Sequence, residues 1–254
     1  MERTLQVLDY AILVINGADG VQGHTMTLWK LLKRYQVPVF IFVNKMDQPG
    51  TDKEKTLAEL QKKLDVNCID YNGQDKECLY DTAAMCSETL MEEYLNTGKI
   101  SDEAMNEAIG HRQIFPCLFG SALKMEGVKE LLAFMDAHMQ RREYPEEFGA
   151  RVFKIVRDEQ DNRLTYMKIT GGSLKVKAML TDYHEGMEPS ECWQEKADQI
   201  RLYSGGTYDM VNEVTAGAVC AVTGLSKTFC GQGLGIETEP EQTVLEHVLT
   251  YRFI

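Results

Sequence analysis

Asn44-Lys45-Met46-Asp47 follows directly on an apolar run, residues 37–43 (VPVFIFV). An ionised carboxylate accepts two hydrogen bonds side by side, so Asp47 can take two parallel N–H donors from one planar edge. The N1–H and exocyclic amine of guanine form such an edge. Adenine lacks that donor pair and would leave the carboxylate unsatisfied. Asn44 can bridge neighbouring loops and approach N7, while the aliphatic stem of Lys45 covers the base or ribose. A second group, Gly120-Ser121-Ala122, follows another apolar run, residues 114–119 (IFPCLF). Small residues there let backbone N–H groups approach the guanine O6. A Gly-Ser turn is commonplace on its own; paired with N-K-x-D on an earlier strand it becomes specific.

The elements that must hold these loops are legible from hydrophobic period. Residues 11–15 (AILVI) form a strand-length apolar run closed by the turn Asn16-Gly17-Ala18-Asp19-Gly20. Residues 37–43 and 114–119 are further apolar strands, and residues 66–70 a short one. Between them Leu28, Leu31, Leu32 and Tyr35, then Leu57, Leu60 and Leu64, recur at helical spacing. Val128, Leu131, Leu132, Met135 and Met139 mark another helix, and Ser101-Asp102-Glu103 reads as a helix start. Continuous apolar strands separated by amphipathic helices imply an α/β layer with a mostly parallel sheet covered on both faces. Ligand loops of such sheets lie at the carboxyl ends of strands, where both motifs fall.

The period changes after the polar stretch 141–149, which contains Pro145. Leu174, Val176, Ala178 and Leu180 alternate with Ser173, Lys175, Lys177 and Met179. Residues 151–156 and 163–170 are strand-like around a turn at Asp161-Asn162, and 197–203 and 217–223 are further strands. Short strands with turn signals predict a small antiparallel barrel. The expected domains are therefore 1–140, a linker over 141–149, and a barrel over 150–254.

Composition excludes several classes. The chain has 254 residues, and 39 Asp+Glu against 27 Lys+Arg give a formal charge of −12, so binding to free nucleic acid is not expected. No apolar stretch reaches membrane-spanning length, and the first residues do not form a signal peptide, which places the expected location in the cytoplasm. The seven cysteines form no C-x-x-C pair and read as reduced thiols. The five histidines show no H-E-x-x-H spacing, and His24 reads as a surface residue. No metal ligand or catalytic residue is expected.

The two motifs correspond to the G4 and G5 elements of GTPases, and the rest resembles translational GTPases of the elongation factor G type. Within that group the chain resembles tetracycline-resistance ribosomal protection proteins. The carrying segments are residues 2–9 (ERTLQVLD), 16–22 (NGADGVQ), 43–48 (VNKMDQ) and 119–122 (FGSA). Residues 153–155 and 171–174 resemble the opening strands of the family's second domain. Leu245-Glu246-His247-Val248-Leu249 with Tyr251-Arg252 resembles the sequence leaving it. The resemblance implies that Asn44, Lys45, Asp47, Ser121, Ala122 and Leu123 hold the base of GTP or GDP, and that the complete protein acts on the ribosome. It also implies an insertion at about residues 71–110, whose acidic helices read as a solvated face.

The departures are as informative. The phosphate loop G-x-x-x-x-G-K-[ST] is absent: Gly98-Lys99 is followed by Ile100, and Glu93 stands where the first glycine belongs. The D-x-x-G-H segment belongs just before Glu2. The switch-I threonine that would hold Mg²⁺ is missing with them, so Mg²⁺ is expected only in the intact parent. The chain is thus expected to be a fragment lacking the P-loop, the switches and the C-terminal domains, and inactive alone. A strand neighbour of residues 11–15 would be missing too, leaving an uncovered edge that favours self-association. A non-enzymatic ribosome- or protein-binding module is the alternative.

Overall fold

A computed structural model describes residues 2–72, 75–183, 188 and 192–237. The chain divides into two compact units. One runs from Leu8 to Arg141; the other joins the first seven residues to the chain from Arg142 onward.

Helix α1 (Glu2–Leu5) belongs to the second unit. The first unit follows as β1 (Ala11–Asn16), α2 (Gly23–Arg34), β2 (Val39–Asn44), α3 (Lys53–Lys63) and β3 (Cys68–Asp70). It continues with α4 (Lys76–Ala84), α5 (Glu88–Thr97), α6 (Asp102–Gly110), β4 (Phe115–Phe119) and α7 (Val128–His138). The four strands make one parallel sheet in the order β1-β2-β4-β3. β2 is buried along residues 39–43, as its continuous apolar run predicts for a strand covered on both faces. Phe40 and Phe42 face a cluster that includes Ala83, Leu90, Ile109, Leu118 and Phe134. On the opposite face Trp29 of α2 meets Phe115 edge-on, with ring centres 4.7 Å apart.

Local sequence sets the helix ends. Asp52, Asp75 and Ser101 each cap a helix by accepting from the backbone N–H three residues on, at Lys55, Cys78 and Ala104. Gly98 closes α5 in the left-handed region at φ 70°. The Gly98-Lys99 pair therefore ends a helix, whereas a phosphate loop would lead into one. Helices α4–α6 occupy the expected insertion, but they are more than a solvated face. Ala83, Ala84, Leu90, Met105, Ala108 and Ile109 are buried in the sheet's own core. His24 is exposed on α2.

Among the described residues β1 pairs only with β2. Ile12 and Val14 are 42% and 59% exposed, although their register partners Phe40 and Phe42 are buried. An open apolar strand edge is a template for association. The chain alone is expected to oligomerise in light scattering at high concentration, and Ile12→Lys with Val14→Lys to shift it toward monomer. A monomeric wild-type chain would contradict this.

The second unit contains β5 (Gly149–Arg157), β6 (Arg163–Gly171), β7 (Ser173–Lys175), β8 (Met179–Thr181) and β9 (Gln194–Lys196). Then come β10 (Gln199–Ser204), β11 (Thr207–Val211), β12 (Glu213–Thr215), β13 (Val219–Thr223) and β14 (Gly233–Gly235). A six-stranded antiparallel sheet, β11-β10-β13-β6-β5-β14, is completed by the ribbons β12-β7 and β8-β9. All three share one core: Val152, Met167 and Ile200 from the large sheet pack with Leu174, Leu180 and Val214 from the ribbons. This is the small antiparallel barrel expected from the period of two. The run 173–180 is not one strand, however; Lys177 adopts φ 69° and splits it into β7 and β8. In this unit Lys168 Nζ donates to the Val7 carbonyl at 3.0 Å, which anchors the N-terminal segment. The segment from Leu245 to Arg252 lies outside the described residues. No helix among the described residues is long and apolar enough to cross a membrane.

Candidate functional site

β2 and β4 are adjacent and parallel, with Val43 in register with Phe119, so their carboxyl ends emerge side by side. Gly120 N–H donates to the Val43 carbonyl at 2.9 Å, and Met46 N–H returns to the Gly120 carbonyl at 3.0 Å. These two bonds join the Asn44–Asp47 loop to the Gly120–Ala122 loop. Gly17 N–H donates to the Asn44 carbonyl at 2.8 Å, bringing in the loop after β1.

Asn44 Oδ1 accepts from Lys45 N–H and from Ala122 N–H, both at 2.8 Å. The first bond accompanies a left-handed turn at Lys45, φ 64°. The second pins the two loops together through a side chain. Asn44 thus does the bridging its sequence position suggests.

Asp47 sits across from Ser121. The Ser121 hydrogen bond is the largest influence on its carboxyl and holds it below the usual carboxylate range, against a smaller opposing effect of burial. Lys124, with Nζ at 3.7 Å, acts in the same direction. Asp47 is therefore ionised at neutral pH. Lys124 was not singled out from sequence; its signal is a lysine three residues beyond Ser121, on the same short loop.

That loop is a tight, nearly closed structure. Ser121 and Glu126 exchange backbone hydrogen bonds, each 3.0 Å, and Met125 N–H donates back to the Ala122 carbonyl at 3.2 Å. Ser121 is buried, whereas Leu123 at the tip is 92% exposed. The structure thus brings Asn44, Lys45, Asp47, Ser121 and Ala122 together, with Leu123 presented at the edge of the same loop. One detail differs from expectation. The Ser121 N–H is committed to Glu126 and the Ala122 N–H to Asn44, so neither is idle. The Leu123 N–H has no such bond.

Gly120 is required by close approach. A Cβ there would lie 2.2 Å from the Glu126 carbonyl oxygen, a backbone atom that cannot swing away. Gly120→Ala is expected to cost about 1–3 kcal/mol and to displace Ser121 from Asp47. Thermal unfolding checks the first effect. Unchanged stability would show that the loop has room that its geometry denies.

Residues 1–141 match the family described as the elongation factor Tu GTP binding domain. The chain belongs to this family. Its relatives agree. Elongation factor G of Ureaplasma urealyticum serovar 10 is 27% identical, across 98% of this chain and 45% of that protein. Elongation factor G of Mycoplasma genitalium is also 27% identical, across 92% of this chain and 43% of its own length. The mitochondrial ribosome-releasing factor 2 of Drosophila ananassae is 26% identical, across 91% and 38%. The chain therefore spans less than half the length of the curated relatives it matches. A crystal structure of a protein from Thermus thermophilus shares the fold, with a TM-score of 0.74 at 21% identity over 94% of this chain and 42% of that one. The elongation factor Tu type GTP-binding domain and the barrel that follows it are the architecture described above.

Proposed function

We propose that this chain supplies the guanine-recognising part and the second-domain barrel of an elongation factor G-type translational GTPase that works on the ribosome. The observation that carries the reading is the Asn44 side chain tying the β2 and β4 loops together, next to an Asp47 carboxyl held ionised by Ser121. A base entering there meets a fixed carboxylate acceptor for N1–H and the exocyclic amine. The Leu123 N–H, free of other bonds, is the donor assigned to O6 in this reading, and the Lys45 stem is assigned to cover one face of the ring. The donor and acceptor set suits guanine and rejects adenine, whose edge offers one donor where Asp47 needs two.

The phosphate half of the site has no counterpart among the residues assigned here. When bound, GTP with Mg²⁺ supplies the phosphoryl chemistry; the residues named above orient the base and do not touch the reacting phosphorus. The tetracycline-resistance reading rests on the likeness of residues 2–9, 16–22, 43–48 and 119–122 and is a narrower form of the same proposal. Two experiments separate the levels. The protein carrying this chain is expected to co-sediment with ribosomes when a non-hydrolysable GTP analogue is present, and not with the ATP counterpart. Equal co-sedimentation with both would sink the translational GTPase reading. Growth of cells in tetracycline, with and without the gene, tests the narrower one: no difference removes ribosomal protection and keeps the broader class.

A further inference from the structure

The barrel carries a second polar site that the nucleotide reading does not use. A cavity of about 620 Å³ opens between its strands and loops, lined in part by Arg163, Lys177 and Arg201. The three cations arrive from separate segments: Arg163 opens β6, Lys177 occupies the left-handed link between β7 and β8, and Arg201 lies in β10.

Two of them already have carboxylate partners. The Arg201 side chain is only 7% exposed and donates to Asp158 at 3.0 Å. It also donates to the Gln199 side chain and lies 4.5 Å from the centre of the Tyr208 ring. Lys177 Nζ is 2.8 Å from Asp198 and keeps two further N–H donors. Arg163 is different. Its Nη2 donates to the Thr228 carbonyl, but its Nε is buried with no hydrogen-bond partner, and among the described residues no carboxylate pairs with it. Of these three cations Arg163 alone lacks a carboxylate partner among the described residues; Glu195 is a further carboxylate at the rim, accepting from the lining residue Ser226.

The buried Nε is closed off from the cavity as it is from solvent, so an anion would meet Arg163 through the part of the side chain that lines the cavity. The cavity walls are also set in advance. Asp158 Oδ1 accepts from the backbone N–H of Gln160 and Asn162, which fixes the loop bearing the cavity's amide side chains. We propose that this cavity binds a phosphate group, anchored by the Arg163 guanidinium and assisted by Lys177. A tetrahedral oxyanion offers oxygens in several directions at once, which matches donors coming from separate segments better than the flat edge of a carboxylate does. The cavity is larger than free phosphate requires, so it also admits a phosphate ester of nucleotide size.

Thermal unfolding of the 254-residue chain tests this with three probes: inorganic phosphate, cytidine 5′-monophosphate and cytidine. Cytidine compounds lack the guanine donor pair and so do not report on Asp47. Phosphate and the monophosphate are expected to raise Tm in a saturable way, and cytidine to leave it unchanged. A larger shift from the monophosphate assigns an ester as the occupant; equal shifts assign the free anion. Arg163→Gln is expected to weaken the apparent affinity roughly tenfold or more, with Arg163→Lys recovering part of it. Lys177→Gln, at an exposed position, reports the same loss without removing a buried group. Asp47→Asn is expected to leave the shift intact. No saturable shift in the wild type, or an equal shift in both glutamine variants, overturns the proposal, as does its loss in Asp47→Asn.

Discussion

Asp47→Asn is expected to lower affinity for GTP and GDP by about 30- to 1,000-fold and to turn preference toward xanthine nucleotides. In the proposed site the carboxylate accepts both donors of the guanine edge. A carboxamide accepts one and presents a donor of its own to the guanine amine. Xanthine carries a carbonyl at that ring position, so the new donor finds an acceptor. The substitution preserves side-chain size and can keep the contact with Ser121, so the loop is expected to hold its shape. Calorimetric titration of GDP and xanthosine diphosphate measures the exchange. It is cleanest in a form of the protein that also carries a phosphate-binding loop, where wild-type affinity is high enough to fall. Unchanged GDP affinity would remove Asp47 from the site.

The 254-residue chain by itself is expected to turn over no GTP and to bind it no more tightly than about millimolar, roughly 4 kcal/mol. Phosphoryl transfer depends on positioning and on charge stabilisation around the phosphates. Much nucleotide affinity in such sites comes from backbone N–H groups at a helix N-terminus and from the metal. The sequence holds no G-x-x-x-x-G-K-[ST], and its one Gly-Lys pair of related appearance, Gly98-Lys99, closes helix α5 with the glycine in the left-handed region. On the proposed reading, what the first unit offers is contact with the base alone. Calorimetry on the Arg163→Gln chain, which lacks the proposed phosphate contact of the barrel, and a phosphate-release assay decide the matter. Micromolar affinity, or release above a no-protein blank, would require a phosphate site elsewhere in the chain.

The parts of this fold that the sequence announces are those where one physical demand dominates. β2 is buried on both faces, so its apolar run is continuous and could be read at sight. Ser101 caps α6 through its own hydroxyl, a local bond that needs no tertiary knowledge. The Asn44–Asp47 and Gly120–Ala122 groups were legible as neighbouring loops because each lies at the carboxyl end of a continuous apolar strand, β2 and β4. Other features depend on partners far along the chain. β14 contains two glycines in three residues and is a strand only because it pairs with residues 149–151 of β5. Lys177 interrupts an unbroken alternation, and nothing local signals its left-handed turn. The buried side of α4–α6 was hidden by their acidic outer faces, since a solvated stripe and a core stripe coexist on one amphipathic helix. The bridging role of Asn44 was legible from its motif, but its partner, the Ala122 N–H 78 positions away, was not.

In the proposed function the joined β2 and β4 loops select guanine. Amide chemical shifts of the isotope-labelled 254-residue chain test it most directly, with GDP and ADP added separately at millimolar concentration. Guanine selection predicts that the amides of Asn44, Lys45, Asp47 and Ser121 through Leu123 move with GDP, with the Leu123 N–H moving most, and stay in place with ADP. Equal movement with both nucleotides, or none with GDP at saturating concentration, would contradict it.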